Sequence, residues 1–171
     1  MMPKTIHTMA WAYQRICAGE DPWTALGNFT NAWYDYAKDI RASLVSEPLG
    51  KPDPDTEHTR HWGAFCAAAV EFLCDRYRVP CPQWVQEPDY ILSTPWYGDN
   101  IINLADTAVL QRRITTTPAP FARRNVFCGN RLFQNKYEMN EWVEEARIHG
   151  ISNPRDIWHY ARQKENALHG A

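Results

Sequence analysis

Glu57, His58 and His61 form the densest cluster of metal-ligating side chains in the sequence. On a helix His58 and His61 share a face at i, i+3. With Asp53 and Asp55 just upstream they could contribute to a nitrogen/oxygen cage, which would suit a small metal-dependent enzyme. No HExxH and no second ligand-bearing motif accompanies them, and Cys74-x6-Cys81 is not a zinc spacing. Solvated polar residues in a first helical turn account for the cluster equally well, because acids there favour the helix N-terminus. The expectation is no metal and no cofactor, with Glu57, His58 and His61 as the residues to watch.

Two further chemistries deserve a test against spacing. Cys128, in VFCGN, follows Arg123-Arg124, and nearby cations lower a thiol pKa and so activate a nucleophile; a packed cysteine closing a short apolar run is the competing reading. The eight glycines form neither GxGxxG nor GxxxxGK, so no phosphate cradle is expected. In WVEEARIHGISNPRDIWHYAR (142–162), Ala146, Gly150 and Ile151 have helix-turn-helix spacing. Glu145 and His149 fall where that motif needs apolar residues, and Pro154 enters the second helix near its start. Arg155, Arg162 and Lys164 are interleaved with Asp156 and Glu165. Nucleic acid is therefore not the expected partner, and a DNA-binding regulator stays an alternative.

The elements that would position these groups read as helices. Ile6, Met9, Ala10, Tyr13, Ile16 and Cys17 recur at three- and four-residue steps over 5–18, and Gly19 is a natural stop. Asp21-Pro22 supplies an N-cap and a first-turn proline. A stripe of Trp23, Leu26, Phe29, Trp33, Tyr36, Ile40 and Leu44 then predicts one long helix ending before Pro48. The proline-rich linker 48–55 follows. Residues 56–78, with Trp62, Phe65, Cys66, Ala69, Phe72, Leu73 and Tyr77 on a wide face, predict the central helix. A shorter helix is expected over 100–112. Val126-Phe127-Cys128 fits either an extended stretch or a helical turn. Two helices close the chain, 137–149 and one capped by Asn153-Pro154. The fold expected is all-α: a single domain over 1–171, an irregular helical bundle of about six helices with a long Pro/Trp-rich loop wrapped across it.

A chain of 171 residues can bury a core without disulfides or metal. A net charge of −2 gives no general pull toward nucleic acid or an anionic membrane. Five cysteines without paired spacing fit a reducing compartment, and neither an apolar signal segment nor a membrane-spanning stretch stands out. The chain is expected to be cytoplasmic, with no membrane partner. Eight Trp and eight Tyr can serve as core or as anchors for a partner.

The aromatics gather in VPCPQWVQEPDYILSTPWYG (79–98), where four prolines forbid a continuous helix or a central strand. Long irregular loops of this kind often carry function. This segment and TTTPAPFARRNVFCG resemble a family of small helical, antitoxin-like bacterial proteins. Its members follow a helix with a Pro-x-Trp-Val segment, a Pro-Trp-aromatic step and a Thr-Pro-x-x-Phe-x-Arg-Arg-Asn-x-Phe box. The likeness runs through His61, Trp62, Pro82, Trp84, Val85, Pro88, Leu92, Pro95, Trp96, Pro118, Phe121, Arg123, Arg124, Asn125 and Phe127, over roughly residues 20–130. Some members carry an N-terminal helix-turn-helix and are encoded beside nucleotidyltransferase-like toxins, which implies an antitoxin or regulatory role toward a protein partner. With only about twenty residues ahead of the matching region, such a DNA-binding domain is not expected within these 171 residues. The functional expectation is a non-enzymatic protein-interaction module, with a toxin-like nucleotidyltransferase as one partner type. Trp84, Trp96 and Tyr97 would be the apolar anchors. Arg123, Arg124 and Asn125 would be the polar contacts, since guanidinium forks pair well with partner carboxylates.

Overall fold

The computed structural model describes residues 5–98, 105–133 and 136–169. The chain is all-α, with eight α-helices and no strand among the described residues. Its contacts group into two compact units, Met1–Leu132 and Phe133–Ala171. No helix among the described residues is long and apolar enough to cross a membrane.

The first unit opens with α1 (Met9–Cys17) and α2 (Pro22–Asn31), each started by a side-chain cap. Thr8 Oγ1 accepts the Trp11 N–H at 3.1 Å and Asp21 Oδ2 accepts that of Thr24 at 3.0 Å. Such caps satisfy amides that have no partner within the helix.

The long helix expected after Pro22 is interrupted. Beyond Asn31 the chain widens into a π-turn (Ala32–Tyr36), tightens into a 3-10 turn (Lys38–Ile40) and resumes as α3 (Arg41–Val45). Ala37 N–H bonds back to Ala32 O at 2.9 Å, one residue further than an α-helix reaches. Arg41 Nε fills the gap by donating to Trp33 O at 2.8 Å, and its guanidinium lies 5.5 Å from the Trp33 ring and 4.3 Å from that of Tyr77. The wider turn leaves the Trp33 ring completely buried, 5.9 Å from both Phe29 and Tyr77.

The central helix is α4 (Glu57–Tyr77), as its wide apolar face predicts. Gly63, Ala64, Phe65, Cys66, Ala67, Ala68, Ala69 and Val70 are buried in an unbroken run. A helix apolar around its circumference at mid-length must be packed on several sides, and α1 and α6 (Ala119–Ala122) both lie against it. Gly63 admits the close approach: a Cβ there would stand 3.1 Å from the Tyr13 hydroxyl. That hydroxyl donates to Thr59 O at 2.8 Å. A capping box starts α4, in which Thr56 Oγ1 accepts the Thr59 N–H and Thr59 Oγ1 accepts that of Thr56. Thr59 Oγ1 also donates to Pro54 O at 2.7 Å, fastening the proline-rich linker to the helix start.

After α4 come 3-10 turns at Gln83–Gln86 and Pro88–Tyr90, then extended chain. The helix expected over 100–112 lies instead at α5 (Thr107–Thr116), capped by Asp106, whose carboxylate accepts the Ala108 and Val109 N–H groups. The Ile101 and Leu104 positions of that expectation lie outside the described residues. Val126 is extended and forms an isolated parallel bridge with Trp96, which decides the conformation of the Val-Phe-Cys run.

In the second unit α7 (Lys136–Ile148) and α8 (Pro154–His169) pack on each other. Gly150, at φ 83°, makes the turn. Asn153 Oδ1 caps α8 by accepting the Arg155 N–H at 2.9 Å.

Replacing Thr59 with Ala removes one side chain from the capping box and leaves Pro54 O without its donor. A loss of about 1–2 kcal/mol of stability is expected in urea unfolding, with the m-value unchanged.

Candidate functional site

The face built by residues 79–98 and 117–128 is organised around one carboxylate, Glu71, in the second turn from the end of α4. Its side chain is 16% exposed. Arg124 Nη1 donates to Glu71 Oε2 at 2.7 Å, Arg123 Nη2 to Oε1 at 2.6 Å and Gln86 Nε2 to Oε1 at 3.0 Å. Burial would raise the Glu71 pKa, but the bonds from Arg124 and Gln86 and the charges of both arginines outweigh it and hold the carboxyl below its usual value.

The two arginines of the box have opposite fates. Arg123 stays at the surface, its side chain 57% exposed. Arg124 is 3% exposed and also donates to Pro120 O and Val85 O, each at 2.7 Å. Its guanidinium thus ties α4, the Gln83–Gln86 turn and α6 together. As a candidate partner contact Arg124 is buried, with both terminal nitrogens bonded inside the fold.

The same holds for two of the three anchors. Trp84 is 7% exposed; its Nε1–H donates to Val45 O at 2.8 Å and its ring meets Tyr90 edge-on at 5.6 Å. Trp96 is 8% exposed, stacked on His61 at 4.6 Å and edge-on to Trp62 at 5.2 Å. Its backbone pairs with the box, Trp96 N–H to Asn125 O and Phe127 N–H to Trp96 O, both at 2.8 Å. Both indoles are core. Proline keeps this segment out of regular structure, but its large apolar surfaces are still driven against the helices.

Asn125 occupies the left-handed region at φ 62°, a conformation asparagine tolerates better than most residues. Its Nδ2 donates to Leu92 O at 2.6 Å. Tyr97 is half-buried and stacks on Phe127 at 5.8 Å, and its carbonyl accepts a bond from Arg113. Beside it lies a narrow cleft of about 50 Å³, lined among others by Trp23, Trp62, Trp96, Tyr97 and Arg113. Trp23 stands at this cleft 45% exposed, edge-on to Trp62 at 5.4 Å and to Phe65 at 5.6 Å. By periodicity Trp23 belongs to the apolar stripe that runs on through Leu26 and Phe29. Its place beside the first-turn proline, where a helix has just begun and neighbours are fewer, was the available hint of exposure.

His61 Nε2 lies 3.6 Å from Glu57 Oε1 with its ring stacked on Trp96, and Asp55 is held by Arg60 through bonds of 2.6 and 2.9 Å. Among the described residues no group of three or more His, Cys, Asp or Glu side chains is arranged to hold a metal ion. Cys128 is not activated: burial pushes its thiol up to about 12 despite Arg113, and the neighbouring arginines are spent on Glu71. In the second unit Arg162 pairs with the buried Glu165 at 2.9 Å and Lys164 with Glu145 at 3.4 Å. The cleft of about 570 Å³ between α7 and α8 is lined largely by apolar side chains, including Met139, Val143, Ile151, Ile157 and Trp158. Neither feature makes a phosphate track.

No family model matches this chain, and no curated protein and no solved structure is similar to it.

The charge hub makes two predictions. Arg124→Ala strips Glu71 and two carbonyls of a buried donor and should cost about 3–5 kcal/mol, whereas Arg123→Ala should cost under about 1 kcal/mol; denaturant melts of the two variants read the contrast. Because folding lowers the Glu71 pKa, its contribution is complete above the unfolded value of about 4.3 and is lost as pH falls through the folded value. Wild type should therefore exceed Glu71→Gln in stability at pH 7, and the gap should shrink at pH 3. A constant gap across that range would remove Glu71 ionisation from the account.

Proposed function

We propose that this chain is a non-enzymatic protein-interaction module, antitoxin-like in kind, that presents Trp23 and Tyr97 to a protein partner. The observation that carries the reading is Trp23. A tryptophan nearly half open to solvent is held against Trp62 and Phe65, so its orientation is set before any partner arrives. Exposed, pre-ordered indoles bind at small entropic cost and are enriched among the residues that dominate interface energy. Trp84, Trp96, Arg124 and Asn125 act here as the frame behind that edge. Arg123 keeps an exposed guanidinium that can meet a partner carboxylate.

The resemblance to bacterial antitoxin-like proteins supports the same reading and suggests a nucleotidyltransferase-like toxin as the partner type. The raised thiol pKa values of Cys74 and Cys128, both about 12, argue against thiolate catalysis at those positions.

Affinity capture from the native host with a tagged full-length chain, followed by mass spectrometry, tests the proposal. One protein should co-purify reproducibly, and Trp23→Ala should lower its recovery about tenfold while leaving the melting temperature within roughly 2 °C. Recovery of the chain alone, or undiminished recovery with the variant, would refute this assignment.

A further inference from the structure

A separate cleft of about 730 Å³ opens in the first unit between the proline-rich linker and the Pro88–Tyr90 turn, beside the start of α4. Its volume falls in the range of small-ligand sites, about 300–1,000 Å³. Two buried tyrosines, Tyr13 of α1 and Tyr90, line it. Tyr13 is fixed there by its bond to Thr59 O at 2.8 Å. Both walls are anchored. Thr59 Oγ1 holds the linker through Pro54 O at 2.7 Å, and Leu49 is buried at the linker's other end. On the turn wall, Glu87 N–H bonds back to Trp84 O at 3.2 Å and Tyr90 N–H to Glu87 O at 3.1 Å. A cleft framed in this way exists before a ligand arrives, which lowers the ordering cost of binding.

Charge is divided between the walls. The linker side carries Lys51 and the Arg60–Asp55 pair, whose fork is closed at 2.6 and 2.9 Å and largely cancels its own charge. The turn side carries Glu87 and Asp89. The side chains of Lys51, Glu87 and Asp89 are exposed and have no hydrogen-bond or ion-pair partner among the described residues. One unbalanced cation on one wall and two carboxylates on the other select a ligand that carries both signs at separate ends.

We propose that this cleft binds a short zwitterionic peptide. Its free ammonium end lies against Glu87 and Asp89, its carboxylate end against Lys51, and an apolar side chain crosses Tyr13 and Tyr90. Tyrosine rings supply apolar area together with a negative face that also suits a nearby ammonium. A free amino acid holds both charges on one carbon and cannot meet two walls at once, whereas an extended tripeptide separates its ends by about 10 Å. The cleft shares no lining residue with the one at Trp23, so the site is independent of the partner-binding reading.

Affinity selection on the full-length chain tests the site. Three sets are offered at low salt: a library of unmodified tripeptides, the same library acetylated at the amino end and amidated at the carboxyl end, and the free proteinogenic amino acids. Retained molecules are identified by mass spectrometry after ultrafiltration. Unmodified tripeptides with an apolar side chain should be retained, and the capped library should be retained about tenfold less. Lys51→Glu, and Glu87→Gln combined with Asp89→Asn, should each cut retention roughly tenfold. All three positions are exposed, so both variants should melt within roughly 2 °C of wild type. Equal retention of the capped library, retention of free amino acids alone, retention indifferent to both variants, or no retention from any set would each overturn the proposal.

Discussion

A single partly buried carboxylate governs how the irregular half of the first unit lies on its central helix. Glu71 accepts from Arg123, Arg124 and Gln86, so both segments that lack long helices are fastened to one turn of α4. Ladder hydrogen bonding is sparse there: three backbone bonds join Leu92 and Trp96 to residues 124–127. Side chains must therefore supply the register that strands or helices would otherwise set. Arg124 does so by spending its guanidinium on Glu71 and on the carbonyls of Val85 and Pro120. Desolvating such a pair is expensive, and a well-packed apolar substitute could be as stable. What the pair adds is direction, because a carboxylate and two carbonyls at fixed positions accept one placement of the planar fork.

The aromatic content follows from the same shortage of regular structure. An indole covers a large area with only two side-chain torsions, so a loop punctuated by prolines can be docked by a few residues. Each docked indole also brings an N–H that needs an acceptor. Trp84 finds Val45 O, left accepting at the end of α3. Trp33 does not fare as well: its Nε1–H is buried without a hydrogen-bond acceptor in the structure. The Trp33 site gains in other ways, from the edge-on contact with Tyr77 and from Arg41, which satisfies the carbonyl freed by the π-turn. A buried unpaired donor typically costs about 1–3 kcal/mol, so this turn is a place where packing has prevailed over hydrogen bonding.

Helix starts were legible because capping has a local chemical signature. Asp21-Pro22 and Asn153-Pro154 announce helices that begin where those residues stand. The all-α class, the central role of α4 and the irregularity of 79–98 were equally readable from period and proline. The break after Asn31 was not, because the stripe from Trp23 to Leu44 keeps helical spacing through the π-turn, and one extra residue in a turn barely changes that pattern. The candidate site was less legible still. Arg123 and Arg124 are neighbours of the same type, and only the tertiary position of Glu71, more than fifty residues away, separates a surface cation from a buried one. Trp84 and Trp96 pose the same problem: proline-spaced aromatics look alike whether they face a partner or their own helices. The division after Leu132 carries no composition signal either.

The burial of Trp84, Trp96 and Arg124 changes where recognition can occur. A surface that has already consumed its strongest donors and most of its indoles cannot grip a partner by many polar contacts. It can offer an edge whose shape is rigid. Trp23 backed by Trp62 and Phe65, with Tyr97 stacked on Phe127 beside the same cleft, is such an edge. The cleft is too narrow for a ligand of any size, so complementarity must come from what packs over the rings rather than what enters between them. Because those rings rest on α4 and on the Trp96–Val126 bridge, their positions inherit the order that Glu71 imposes. Under the proposed reading, binding and folding would be coupled through one interaction: loosening Arg124 would unseat the loop first and blur the Trp23–Tyr97 edge with it, although Arg124 is not part of that edge.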